Sequence, residues 1–345
     1  GARIPLFDAR FRPEARRIAI PEDQFILGTW VAMVVFVVVT FATAPTIPIL
    51  SALTGSGADL SQERGEFLKG RQGAGAVLIY ISTFLTNTVV PYSVVVLYAT
   101  KSRWRHVAGL LFFCFCISFL QKALFLNLVL PMLAFMALAG RLKGKSFLSI
   151  IGACAGLLII TTALSVATEA SDTAARSGDY LSALYVPTGP LDYFLWRTFA
   201  VPIFTAVDTL IVHAEQFGGR PLLGATSSLL ASITGVERIN LERFVFEHQF
   251  GSWNDIANAN AVFITDAFVN FGQIGVVLFG LIVGVVFRCF DKSKDIAFKC
   301  MWPLFAFILF SCPLIGMMFS NGFLYMLLHA LFIRLTARPK PQVTS

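Results

Sequence analysis

A few charged and polar residues fall where charge is costly, and these could carry chemistry. The stretch Leu191–Val212, LDYFLWRTFAVPIFTAVDTLIV, is apolar enough to enter a membrane yet holds Asp192, Arg197 and Asp208 and is interrupted by Pro202. Charge at bilayer depth is tolerated only when it is paired or faces a wet cavity. The expectation is therefore a pair of half-inserted or interfacial helices lining a pocket. An amphipathic helix lying flat on the membrane is the other arrangement the composition allows.

The segment HAEQFGGRPLLGATSS follows, with His213, Glu215 and Arg220 around a Gly-Gly turn. Beyond it, Glu237, Arg238, Glu242, Arg243 and Glu247 equally fit a solvated, salt-bridged helix face. Asp266 and Asn270 stand four apart, on one helix face at the mouth of an apolar block. A carboxylate there either pairs with a cation such as Arg197 or serves a substrate, because desolvation penalises it. Asn258 and Asn260 precede it by about two turns and could extend the same polar stripe. In SQERGEFLKGRQGAG, Arg64 and Arg71 are seven apart on one helical face. Guanidinium groups suit planar, bidentate contact with phosphate, and a surface helix salt-bridged through Glu63 and Glu66 is the alternative.

The chemistry in reach is thus anion binding by arginine and proton transfer by carboxylate or imidazole. Motifs for other chemistry are absent: the sequence has no GxxxxGK[ST], HExxH or GxSxG and no DxD pair. His106, His213, His248 and His329 are scattered, and the six cysteines lie in or beside apolar blocks without a CxxC. No metal site is expected, and the cysteines read as packing thiols.

The elements that must position these residues are membrane helices. Of 345 residues, 56% are apolar and 14% charged, with a mean hydropathy of +0.74. A soluble domain carries about 25% charged residues, so a water-covered surface cannot be built from this chain. Apolar blocks at 25–45, 74–99, 107–121, 123–140, 147–168, 261–287, 300–318 and 321–336 predict about eight spans in an all-α polytopic membrane protein. Assigning alternate connections to opposite sides puts 18 of the 27 basic residues on one side, together with both ends of the chain. Positive residues favour the cytoplasm. That placement, next to apolar blocks, accounts for the net charge of +7 without a nucleic-acid partner.

The other side receives one long segment, 169–260, with ten acidic residues, half of all the acid in the protein. Three regions result: residues 1–168 with five helices, the extracytoplasmic loop 169–260, and residues 261–345 with three helices and a cytoplasmic tail. Gly152–Gly156 and Gly280–Gly284 are GxxxG patterns that read as helix-packing signals.

With these residues in hand, the chain resembles the bacterial oligosaccharide repeat-unit polymerases, the O-antigen and exopolysaccharide polymerase (Wzy-type) family. The resemblance rests on ERGEFLKGRQGAGA, DYFLWRTFAVP, FGGRPLLGATSSL and above all NANAVFITDAFVNFGQIGVVLFGLIVG, where Asn-Phe-Gly with another glycine three on enters a late helix. It spans most of the chain, about residues 25 to 336. It implies a GT-C-like membrane glycosyltransferase that moves a growing glycan from undecaprenyl pyrophosphate to the non-reducing end of a new lipid-linked repeat unit, on the periplasmic face. Neither cofactor, metal nor nucleotide sugar is implied, and a chain-length regulator is an implied partner. Family members have about ten to twelve helices and the chain opens on Gly1 rather than Met, so further helices are expected upstream. Under this resemblance Arg197, Arg220, Arg64 and Arg71, in that order, are the candidates to stabilise the departing pyrophosphate. Asp266, His213 and Glu247 are candidate bases, with Asp192, Asp208, Asn258, Asn260 and Asn270 as further substrate-binding positions. A flippase or secondary transporter and the related O-antigen ligase are the competing readings.

Overall fold

The computed structural model describes residues 18–54, 63, 67, 75, 77–118, 126–140, 148, 152, 156, 179–252 and 257–336. A short strand β1 (Ile18–Pro21) leads into helix α1 (Glu22–Thr43), followed by α2 (Pro48–Thr54). Next come α3 (Val77–Ala99), α4 (Arg105–Ser118), α5 (Leu126–Leu138) and α6 (Leu191–Phe217). Two short helices, α7 (Ser228–Thr234) and α8 (Leu241–Phe250), precede α9 (Phe263–Lys292). The chain ends through α10 (Ile296–Ile308), α11 (Leu314–Phe319), α12 (Phe323–Phe332) and strand β2 (Ile333–Thr336).

Among the described residues, α1, α3, α6 and α9 are long and apolar enough to cross a membrane, and α4, α5, α10 and α12 are shorter apolar helices. The protein is thus mostly helical and membrane-embedded. The expected span at 147–168 lies outside the described residues apart from single positions. Two expected spans differ in detail. The block at 300–318 is divided between α10 and α11, with Pro313 between them, and the block at 321–336 ends in strand rather than helix. That strand pairs in parallel with β1, Ile18 opposite Ile333 and Pro21 opposite Thr336, so the first and last described elements close on each other.

The expected pair of helices in the Leu191–Val212 stretch is one helix of 27 residues. Pro202 does not break it because the turn Trp196–Ala200 is widened, with Val201 N–H donating to the Trp196 carbonyl five residues back. The same device occurs in α3, where Leu85–Val89 is widened just before Pro91 and Val90 N–H reaches the Leu85 carbonyl. A proline ring clashes with the carbonyl four residues earlier, and a wider turn moves that carbonyl aside. In α3 the widened turn also meets α5, where Asn127 Nδ2 donates to Asn87 Oδ1 at 2.7 Å.

The core at the strand end is aromatic. Phe290 of α9 lies 4.7 Å from Phe298 and 5.7 Å from Phe305, and Phe305 lies 5.1 Å from Phe323 of α12. Tyr92 of α3 donates to Asp295 Oδ2 at 2.6 Å, while Asp295 Oδ1 caps the start of α10 by accepting from Ala297 and Phe298 N–H. Beside this bond His329 is 2% exposed. Both its ring nitrogens lack a hydrogen-bond partner among the described residues, and Phe25, Tyr92 and Tyr325 pack around it. An unsatisfied buried polar group costs about 1–3 kcal/mol. His329→Phe keeps the ring and removes both polar atoms, so it is expected to raise the melting temperature of the detergent-solubilised protein; a lower value would contradict this account.

The GxxxG glycines are not packed as expected. An added Cβ at Gly152, Gly156, Gly280 or Gly284 would meet nothing within 4 Å, so these small faces are not helix contacts within the described residues. Cys114, Cys116, Cys289, Cys300 and Cys312 are free thiols, and Cys154 lies outside the described residues.

Candidate functional site at the broken helix

Helix α9 is broken near its start. Gly272 adopts φ 63° and ψ −153°, a conformation that essentially only glycine occupies. Past the break, the chain at Gly275 runs so close to Ala267 that a Cβ would collide with the Ala267 carbonyl oxygen and the Phe271 side chain. Both glycines of Asn270-Phe-Gly-x-x-Gly275 are therefore required by the backbone.

A break frees carbonyls that a continuous helix would use, and these need donors. The Gly-Gly loop supplies them: Leu222 N–H donates to the Val269 carbonyl at 3.0 Å and Leu223 N–H to the Asn270 carbonyl at 2.9 Å. Gly224 N–H donates to Asn270 Oδ1 at 3.0 Å. In return Asn270 Nδ2 donates to Thr226 Oγ1 at 2.7 Å and to Asp266 Oδ1 at 3.0 Å. The Thr226 hydroxyl donates to the same Asp266 oxygen at 2.7 Å. To make this fit, Leu223 sits at φ 52° and Gly224 at φ 90°. A non-glycine residue held at positive φ stores strain that persists only where its surroundings enforce it.

The loop is fastened at its other end by His213. This residue of α6 is 4% exposed, and its Nε2 lies 2.8 Å from the Arg220 carbonyl. A carbonyl only accepts, so Nε2 carries the proton. Gly218 and Gly219, at φ 61° and 65°, turn the chain sharply out of α6. Arg220 is left exposed at the tip of a loop held on both sides.

The sequence-predicted residues divide accordingly. Asp266 and Asn270 are 7% and 2% exposed, and they face the loop rather than forming an open polar stripe. Asp266 borders an internal cavity of about 10 Å³, room for about one water, together with Glu242, Thr209, Thr226 and Asn260. Burial pushes the Glu242 carboxyl above the usual range for glutamate, against the opposing pull of Arg238. Glu247 pairs with Arg243 at 2.7 Å, one turn away on α8. Arg243 Nη1 also reaches the Ala257 carbonyl at 3.3 Å, and Ala259 N–H donates to the Glu242 carbonyl at 3.0 Å. The segment 257–260 is thereby laid along α8, leaving Asn258 exposed and Asn260 half-buried.

Arg197 belongs elsewhere. It is exposed on the widened turn of α6, 20 residues before the Phe217 end of the helix. At 1.5 Å per residue that is about 30 Å along the helix, which sets Arg197 apart from the loop that carries Arg220. Around it Trp196 packs with Tyr185, Tyr193 and Phe204. Asp192 accepts from Tyr185 Oη at 2.9 Å and from Thr188 N–H at 2.8 Å, fastening the turn before the helix. Asp208 accepts from Gln249 Nε2 of α8 at 2.7 Å, tying α8 to α6. Arg64 and Arg71 lie outside the described residues.

A second feature is an open groove of about 790 Å³ between α1, α3 and α11. Its lining is apolar apart from Tyr80 and Ser320, with Val35, Phe36, Ile81 and Phe319 among its walls. Helix α11 gives Phe319 to this groove and also packs against α9. Sequence reasoning missed Thr226, which pairs with residues 40 and more positions away, and placed Glu242 on a solvated helix face, whereas it borders the small cavity beside Asp266. Comparison with protein-family models, with curated proteins and with solved structures gives no match.

Proposed function

We propose that the protein is a bacterial inner-membrane glycosyltransferase that polymerises oligosaccharide repeat units carried on undecaprenyl pyrophosphate. The observation that carries this reading is the Arg220 loop locked into the break of α9, with an apolar groove lined in part by α11, a helix that also packs against α9. A polyprenyl pyrophosphate needs both parts: a long hydrocarbon recess open to lipid, and a fixed cation for a leaving group that is already anionic and requires charge stabilisation rather than protonation. Arg220 is the primary phosphate ligand. His213, Asp266 and Asn270 act behind it by holding the loop. Asn258 is exposed and placed to bond sugar hydroxyls. Of the candidate bases, Glu247 is the reachable one, its side chain 38% exposed and paired with Arg243, and it takes the acceptor hydroxyl's proton.

Two features support a multi-pass topology with this site on the periplasmic side. Hydrogen-bonded β1 and β2 occupy one side of the membrane, so the chain between them crosses an even number of times, in keeping with eight spans. The basic loops at 101–105 and 288–299 accompany the strand end, and positive charge favours the cytoplasm. Helix α6 then lies within the outer region, with Leu191, Leu195, Phe199, Ile203, Val207 and Ile211 exposed along one face toward lipid.

One observation favours a second reading. Broken helices at bilayer depth are the usual binding elements of secondary transporters, so a lipid-linked oligosaccharide flippase is the competing function, with the O-antigen ligase as a third. Reconstitution separates them. Purified protein in liposomes with undecaprenyl-pyrophosphate-linked repeat units, without nucleotide or added metal, is expected to produce a ladder of longer glycans. Altered sidedness of the units without elongation would establish the flippase, and transfer only to a lipid A core would establish the ligase.

A further inference from the structure

At the strand end, remote from the Arg220 loop, the connection between α3 and α4 reads Lys101-Ser-Arg103-Trp104-Arg105-His106. We propose that this connection binds the phosphate of an anionic phospholipid in the adjacent leaflet.

Depth comes first. Val107 and Leu111 of α4 are 46% and 50% exposed, and Trp104, 56% exposed, continues the same face at helical spacing. An apolar helix face uncovered in this way meets acyl chains, and a tryptophan at its end marks the level where chains give way to headgroups. The Arg103 guanidinium lies 5.2 Å above the Trp104 ring, which puts its charge at headgroup level.

Orientation comes next. Arg105 is turned the other way, 5.8 Å over the Tyr98 ring, and its Nε–H donates to His106 Nε2 at 3.0 Å. Because Nε2 accepts, the His106 proton is on Nδ1, which donates to Tyr98 Oη at 3.1 Å. The imidazole thus serves as a rest for the arginine. With Nε engaged, the two terminal nitrogens of Arg105 remain for a bidentate partner, the geometry that suits phosphate.

The charge has no internal answer among the described residues. The sequence contains no Asp or Glu between Glu66 and Glu169, and none of Lys101, Arg103 and Arg105 forms an ion pair among the described residues. Lys101 is held at φ 56°, a conformation unfavourable for lysine that turns the chain sharply between the two helices. Three cations beside a lipid-facing tryptophan therefore complement a phosphate of net negative charge, and a zwitterionic headgroup would satisfy them less well. Orienting the chain requires only that basic residues be present. It does not require guanidiniums seated on rings and fixed by a histidine.

The test is lipid retention by the full chain. Protein released from nanodiscs containing equal parts phosphatidylglycerol and phosphatidylcholine is analysed by native mass spectrometry. Wild type is expected to retain phosphatidylglycerol preferentially, and Arg103→Gln/Arg105→Gln to lower that preference about 30-fold, at roughly 1 kcal/mol per basic residue. Arg103→Lys/Arg105→Lys keeps the charge and should retain a preference well above the Gln pair, which guards against a mere folding defect. Arg238→Gln, at the opposite end, serves as the control and should match wild type. Equal retention of the two lipids by wild type would overturn the proposal, as would a Gln pair that matches wild type or a Lys pair that falls as low as the Gln pair.

Discussion

Gly272→Ala is expected to cost about 3 kcal/mol, the upper end of the range for a backbone conformation closed to other residues, and, under the proposed function, to abolish glycan elongation even in the protein that remains folded. At φ 63° and ψ −153° a Cβ cannot be accommodated without moving the backbone. Moving it withdraws the Val269 and Asn270 carbonyls from Leu222 and Leu223, and with them the seat of the loop that presents Arg220. Gly280→Ala supplies the contrast. A Cβ there meets nothing within 4 Å, and replacing glycine inside a helix stabilises by about 0.5–1 kcal/mol. Melting temperatures of the two variants in the same detergent check the pair. A Gly272→Ala protein as stable and active as wild type would show that the break is not required.

Arg220→Ala is expected to reduce long-chain glycan in cells about 100- to 1000-fold, the loss typical when one preorganised charge-stabilising donor is removed. The protein should stay in the membrane at normal levels, because the exposed side chain holds nothing together; the loop is fastened by backbone groups and by His213, Asn270 and Thr226. Arg197→Ala, about 30 Å away along α6, should leave glycan length within about tenfold of wild type. The reverse order of effects would move the pyrophosphate site to the widened turn of α6 and detach it from the broken helix.

Much of this site was legible in outline. Of the polar residues standing out against apolar blocks, His213, Asp266 and Asn270 meet, with the Arg220 loop, at one end of α9. Their individual roles were not legible. Asp266 and Asn270 looked like an open stripe because four-residue spacing fixes only that two side chains share a helix face; which neighbour covers that face depends on a loop 40 residues away. Arg197 and Arg220 were grouped as candidates for one clamp because the resemblance calls for guanidiniums at a pyrophosphate. A continuous helix holds them apart, and Pro202 suggested a break that the widened turn removes.

The sequence by itself determined the solvent and the helical class, since apolar blocks of span length with charge gathered between them cannot be buried in water. It did not show that the late helix breaks: the block 261–287 reads as one span, and only the backbone at Gly272 reveals the kink. Tertiary structure decided which charges meet. Pairings such as Asn270 with Gly224, Tyr92 with Asp295 and β1 with β2 join segments 46, 203 and over 300 residues apart. Hydrogen bonds and packing at that separation depend on how helices stack in space, and no local pattern encodes them.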